Sequence, residues 1–281
     1  MLIADSGATK SDWRFIGNDK KIISFSSPGF NPLFWKSIDI ATELKKQTPK
    51  IVLSEAENPR LKIFFYGASC SSKERNKVIE IALRIIFQKA KIEINHDLLA
   101  SARALCGKTE GIAGILGTGS NSCYYDGKKI TETKGGLTFI LGDEGSGAHM
   151  GNELLRAFLN NEMPDNIRTA FLKKYKINKD KIYEALYKKP HPNRYLASFA
   201  DFVDNNQNEP YLRELAKECF RKFFDKTVCK YKNYKNIPFH CVGSVGFHFS
   251  EIVKEVAKEK NILVGNILKS PIEGLVEYHR A

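Results

Sequence analysis

Two short turns in this sequence have the composition of a phosphate grip. The first is Asp5-Ser6-Gly7-Ala8-Thr9-Lys10-Ser11, directly after the apolar residues 1–4. A strand that ends in Asp and runs through small residues into Thr-Lys offers backbone N–H groups and hydroxyls to phosphate oxygens. Lys10 adds a point charge, and Asp5 can hold Mg²⁺ directly or through water. The second turn is Gly117-Thr118-Gly119-Ser120-Asn121, after the apolar residues 111–116. Its two glycines let the backbone approach a phosphate closely, and its two hydroxyls can donate. Either turn alone reads as a hairpin. Two at equivalent places, with Asp and Lys on the first, read as two parts of one nucleotide site.

Other signatures fail. Gly107-Lys108-Thr109 has the ending of a Walker A loop, but the first glycine of that loop falls at Ala102, inside a predicted helix. After Gly117 and Gly119, the third position of a G-x-G-x-x-G fingerprint is Ser122, which argues against a dinucleotide site. The six cysteines make no CxxC pair and the histidines no HExxH, so free, mostly buried thiols are expected, with little support for a zinc or iron–sulfur site. The net charge of +12 is spread along the chain. Its densest segments, 173–189 and 221–235, are interleaved with apolar residues at helical spacing, which reads as solvated helix faces rather than a nucleic-acid surface. No run approaches the roughly 18 apolar residues of a membrane span. Residues 1–5 carry no basic leader, so the expectation is a cytoplasmic protein without a membrane partner.

The elements that must position these turns repeat. Residues 1–4, 12–16 and 22–25 read as strands, the last two joined by the hairpin signal Gly17-Asn18-Asp19. Residues 36–46 look helical, and 63–66 form a buried strand. Val78, Ile81, Ala82, Ile85 and Ile86 recur at helical spacing. A strand at 92–94 precedes a helix that follows Asp97. The grammar then restarts with strands at 111–116, 122–125 and 129–133, several helices over 148–231, and a strand at 239–242. The glycine turn Gly243-Ser244-Val245-Gly246 comes next, then a helix over 251–260 and a strand near 262–264. Ser270-Pro271-Ile272-Glu273 reads as a capping box with Pro at the first helical position. A chain of 281 residues suits two domains. The reading is an α/β protein with domains 1–107 and 108–269 and a ligand cleft between them.

With these motifs together, the chain resembles the sugar kinase–actin–chaperone ATPase superfamily. Within it, the chain is most similar to the branch of N-acetylglucosamine kinase and the BadF/BadG-type ATPases. The resemblance implies two ribonuclease H-like, actin-like domains, the last helix, 270–281, packing back on the first. It implies ATP and Mg²⁺ as cofactors and a small sugar, an amino sugar such as N-acetylglucosamine, as the acceptor. Asp5 through Lys10 fit the first phosphate motif, with Ser6, Gly7, Thr9 and Lys10 at the nucleotide, although Ala8 stands where glycine is usual. Gly117, Thr118, Gly119 and Ser120 fit the second. Gly243 and Ser244, in Val242-Gly243-Ser244-Val245, fit the adenosine motif. Gly274 fits a closely packed connecting helix. His96-Asp97 falls at the family's catalytic aspartate, Gly142-Asp143-Glu144-Gly145 at its GDEG segment after Gly135-Gly136, and Asn31 at a sugar-binding asparagine. The implied sugar contacts are Asn31, Asp97, Gly136 and Asp143.

Blander roles stand beside these. Asp97 or Asp143 can simply cap a helix, His149 reads as structural, and Tyr195, Phe199 and Phe202 read as core. Two other functions share the fold: an ATPase that switches a partner protein, and a nucleotide or sugar sensor. The first has no need of Asp97 together with Asp143 and Asn31, and the second would tolerate the loss of Asp97. A homodimer stays open, since nothing in the sequence gives the oligomeric state.

Overall fold

The computed structural model describes residues 1–7 and 10–281, and the chain divides into two compact units. Unit 1 comprises Met1–Lys108 with Pro271–Ala281, and unit 2 comprises Thr109–Ser270.

Unit 1 is built on β1 (Leu2–Ser6), β2 (Lys10–Ile16), β3 (Ile22–Pro28), β4 (Lys62–Gly67) and β5 (Lys91–His96), ordered β3-β2-β1-β4-β5. The first three strands are antiparallel, and β1, β4 and β5 run parallel. Successive side chains of β1 point to opposite faces. Leu2 and Ala4 join Trp13, Phe65 and the helices Ser37–Gln47 and Lys73–Ile86 on one face. Ile3 joins Tyr66, Ala100, Leu275 and Val276 on the other. Trp13 is fully buried, and its indole N–H is satisfied by Ser27 Oγ at 3.0 Å.

The Lys73–Ile86 helix buries a different stripe from the one its spacing suggested. Ile79, Ala82, Leu83 and Ile86 face the core, while Ile81 and Ile85 are exposed. The helix carries two overlapping apolar stripes, and packing on the sheet selects between them. The capping box at Ser270 does not form either. Pro271 is itself the cap of the Ile272–Arg280 helix, and Glu273 instead reaches Arg14 Nε at 2.8 Å.

That last helix lies on the Asp97–Cys106 helix through Gly274. A Cβ there would sit 2.5 Å from the Ala104 carbonyl oxygen, so only glycine permits the approach. On an open helix, Gly→Ala gains about 1 kcal/mol. Here Gly274→Ala is expected to destabilise by about 1–3 kcal/mol, because the backbone must give way. Urea unfolding checks this, and a more stable variant would contradict the packing.

Unit 2 repeats the topology. Its strands are β6 (Glu110–Leu116), β7 (Ser120–Asp126), β8 (Ile130–Gly135), β9 (Phe239–Val242) and β10 (Val264–Leu268), ordered β10-β9-β6-β7-β8. Again three strands are antiparallel, and β6, β9 and β10 run parallel. Helices Gly147–Leu159 and Pro210–Lys226 build much of an aromatic core that includes Phe171, Phe199, Phe202, Phe223 and Phe239. Phe199 and Phe202 are thus core residues, with Tyr195 packed against them. The final strand starts at Val264 rather than Ile262. Asn261 turns left-handed (φ 55°), and the Ile262 N–H bonds the Ala257 carbonyl at 2.9 Å, which closes the Ser250–Glu259 helix and keeps Ile262 out of the sheet. Among the described residues, no helix is long and apolar enough to cross a membrane.

Candidate active site

In unit 1 the parallel strands β1, β4 and β5 end on adjacent rungs. Ser6 pairs with Gly67, and Gly67 with His96. Ligands of open α/β sheets gather at such strand ends. Asp5 lies inside β1, not in the turn, and is half-buried. Burial first, then the charges of Asp97 and Asp12, push its carboxyl up to about 7. Asp97 opens the Asp97–Cys106 helix but does not cap it. His96 is the cap, its Nδ1 accepting the Leu99 N–H at 3.3 Å. The Asp97 carboxylate accepts the adjacent Leu98 N–H at 2.9 Å, and burial raises it above the usual carboxylate range. The Cys70 thiol, pushed up to about 12 by burial and then by Asp97, lies close by.

Ser6, Gly7 and Lys10, the described residues that follow in the first turn, each have partners within unit 1. The Ser6 hydroxyl is fully buried and accepts from Ser11 Oγ at 2.7 Å and from the Phe30 N–H at 3.1 Å. It therefore braces the turn and does not face outward. The Gly7 N–H donates to the Lys10 carbonyl at 3.0 Å, and Lys10 Nζ pairs with Asp12 at 2.8 Å. Thr9 lies outside the described residues. Asn31 follows the Phe30 that is anchored on Ser6, and its Oδ1 accepts the Leu33 N–H at 2.9 Å, which leaves its amide group as the donor end. At the end of β4, Ser69 holds a left-handed φ of 67°. Such strain recurs at functional sites, and nothing in the spacing of the sequence signals it.

The high Asp5 value has a measurable consequence. A carboxyl held protonated longer in the folded protein than in the unfolded chain contributes stability at low pH, which is lost as pH rises from 3.8 through about 7. His96, His149, His240 and His279 are all lowered, so they act with the opposite sign. The difference between the parent and Asp5→Asn isolates the carboxyl. Asp5→Asn is expected to gain on the parent between pH 5 and pH 8, with about 4 kcal/mol as the ceiling. Melting temperatures measured across that range check this, and parallel profiles would contradict it.

In unit 2 the second turn is pinned from behind. The Gly117 and Thr118 carbonyls accept the Gly147 and Ala148 N–H groups, at 2.8 and 3.1 Å, from the first turn of the Gly147–Leu159 helix. The Thr118 side chain is exposed, whereas Ser120 Oγ is buried and donates to the Glu144 carbonyl at 2.8 Å. Asp143 lies against Gly119, where a Cβ would meet Oδ2 at 2.8 Å. Burial raises the Asp143 carboxyl, a hydrogen bond from the Ser120 backbone lowers it, and Glu144 raises it again. Ser146, not Asp143, caps the following helix, accepting the His149 N–H at 3.1 Å. Gly136 (φ 68°) lies against the Asn121 side chain. Three segments far apart in sequence, 117–121, 135–136 and 142–145, therefore meet at one place.

Gly243 sits at the end of β9, beside the end of β6. Its φ is 127°, and a Cβ would lie 2.3 Å from the Leu116 carbonyl oxygen, so no other residue fits. Exposed Ser244 opens the short Ser244–His248 helix. Beside it a hollow of about 80 Å³ is lined by Ser244, Val245 and His248 with Ala200, Asp201 and Asp204. His248 Nδ1 is 3.0 Å from Asp204 Oδ2. Sequence reasoning missed both residues, since no spacing links them. Among the described residues, no group of three or more His, Cys, Asp or Glu side chains could hold a metal ion.

Two sheets of the same strand order, each ending in a glycine- and hydroxyl-bearing turn, define the class: this is an actin-like ATPase fold. The comparison with solved structures narrows it. The chain is 38% identical to a candidate N-acetylglucosamine kinase from Porphyromonas gingivalis, covering 99% of this chain and 98% of that one, with a TM-score of 0.91. The chain belongs to this N-acetylglucosamine kinase-like family. A candidate N-acetylglucosamine kinase from Chromobacterium violaceum (15% identity, 99% and 98% coverage, TM-score 0.73) has the same fold. So does a ROK family glucokinase from Streptomyces griseus, solved with glucose and AMPPNP (12% identity, 99% and 97% coverage, TM-score 0.53). No family model matches the sequence, and no curated protein matches it.

Proposed function

We propose that the protein transfers the γ-phosphoryl group of ATP to a hydroxyl of a small amino sugar such as N-acetylglucosamine. The observation that carries this reading is Asp97. A switch ATPase has no use for a half-buried carboxylate that is relieved of capping by His96 and is raised by burial, as a general base requires. Membership of a family whose 38% identical relative is a candidate N-acetylglucosamine kinase supports an amino-sugar acceptor.

In this account the turns around Gly7 and Lys10 and around Gly117 and Thr118 hold the phosphates, and the Gly243-Ser244 turn holds the nucleoside. Asn31, Gly136 and Asp143 orient the sugar. Asp97 takes the proton from the acceptor hydroxyl as that oxygen bonds to the γ-phosphorus and the bond to the ADP oxygen breaks. Phosphoryl transfer depends mainly on alignment and charge neutralisation. Asp5 would hold the magnesium ion, which supplies neutralising charge on the phosphates when bound. A half-buried carboxyl pushed up first by burial and then by two acidic neighbours suits a cation, and magnesium needs only one or two carboxylates besides phosphates and water.

A panel of hexoses and N-acetylated hexosamines, scored for ATP consumption, tests the proposal. Consumption should rise only with the true acceptor and should yield one phosphosugar per ATP. Equal consumption with every sugar and with none would overturn it.

A further inference from the structure

The structure assigns His149 as the residue that positions Asp143 and so sets how tightly the acceptor is held; this deepens the sugar-kinase reading and rests on it. Asp143 and Gly145 both hold left-handed backbone, at φ 60° and 75°. A loop bent in this way needs ties. The Ser146 N–H bonds the Asp143 carbonyl at 3.1 Å, and Ser120 Oγ bonds the Glu144 carbonyl at 2.8 Å. The third tie is a side-chain acceptor, His149 Nδ1, which takes the Gly145 N–H at 3.1 Å. Gly145 packs closely on Phe223, where a Cβ would lie 2.7 Å from Phe223 Cβ.

His149 is held in turn. Its side chain is 12% exposed, and Nε2 is 3.5 Å from Glu153 Oε1. Lys222 Nζ holds the same carboxylate oxygen at 2.9 Å, and Arg156 pairs with the other oxygen. A linked set of polar contacts therefore runs from Lys222 through Glu153 and His149 to Gly145 and the loop that bears Asp143. For Nδ1 to accept, the ring must be neutral, with its proton on Nε2 towards Glu153. The charged groups facing the ring are Glu153 and Arg156 on its own helix, Lys222 on the Pro210–Lys226 helix and Glu144 of the loop, and burial dominates them in keeping the ring neutral. A second proton would set N–H against N–H and release Gly145. Tight binding of the sugar then requires unprotonated His149, whereas ATP binding does not.

The test compares His149→Asn, which keeps an acceptor near the δ position and cannot titrate, with His149→Leu, which removes the acceptor. N-acetylglucosamine is the acceptor sugar, and KM for sugar and for ATP is measured from pH 5 to pH 8. His149→Leu should raise the sugar KM roughly three- to tenfold, the worth of one hydrogen bond, with the ATP KM unmoved. His149→Asn should restore most of the loss and should show a smaller acid-side rise in sugar KM than the parent, the remainder belonging to Asp143 and Asp97. Equal sugar KM in the two variants, or an acid-side rise in His149→Asn as large as the parent's, would overturn the assignment. If His149→Leu does not fold, the pH profile of His149→Asn decides alone. Asp143→Asn run in parallel separates the two readings. A raised sugar KM there with an unmoved one in His149→Leu overturns the His149 assignment only. An unmoved KM in both overturns the sugar-site reading as well.

Discussion

Asp97→Asn is expected to lower kcat by roughly 10² to 10⁴, the range for loss of a general base, while the protein stays folded and still binds ATP. The substitution is nearly isosteric, and the asparagine oxygen can keep the Leu98 N–H bond seen at 2.9 Å. The helix cap is untouched, because His96 supplies it. Stability should therefore change little, and with Asp97 neutral the pressure on Asp5 should ease, since Asp97 is the larger of the two charges raising it. Thermal melting, nucleotide titration and a coupled kinase assay on the same preparation check each part. A variant that keeps near-full kcat with its best acceptor would remove Asp97 from the chemistry.

Asp143→Asn is expected to raise the sugar KM by roughly ten- to a hundredfold, the worth of a hydrogen bond to a charged acceptor, with a much smaller change in the ATP KM. Asp143 caps nothing, because Ser146 does that work. Its backbone stands at φ 60°, which asparagine tolerates better than most residues. The variant therefore removes an anionic acceptor without a new backbone cost. Steady-state kinetics with each substrate varied in turn separates the effects. An equal rise in both KM values would mean that the loop had moved as a whole and would contradict a sugar contact.

The repeat of three turn-joined strands followed by strand–helix units was legible because glycine-bearing turns such as Gly17-Asn18-Asp19 punctuate it, and both sheets follow it. Strand ends were less legible. The apolar run stops at Ala4, yet β1 continues through Asp5 and Ser6, whose backbones pair with β2 and β4 on both sides. Polar side chains there hid a strand that backbone pairing sustains. The helix ends misled for a related reason. Asp97 and Asp143 both look like caps in sequence, but His96 and Ser146 fill those places. A histidine cap has no strong compositional signal, and Ser146 competed with a more conspicuous pair of acids. The GDEG segment was readable as a site candidate through its likeness to the family's segment. Its contact with Gly119 and its tie to His149 were not, since both depend on how the Gly147–Leu159 helix meets the second turn.

The central claim is tested most directly by the fate of the γ-phosphoryl group. The protein is incubated with magnesium, ATP labelled at the γ-phosphate and N-acetylglucosamine, with other amino sugars in parallel, and the labelled products are separated. The account predicts label on an amino sugar, with little inorganic phosphate, and loss of the labelled sugar in Asp97→Asn. Label released as inorganic phosphate at the same rate with and without every sugar would contradict it.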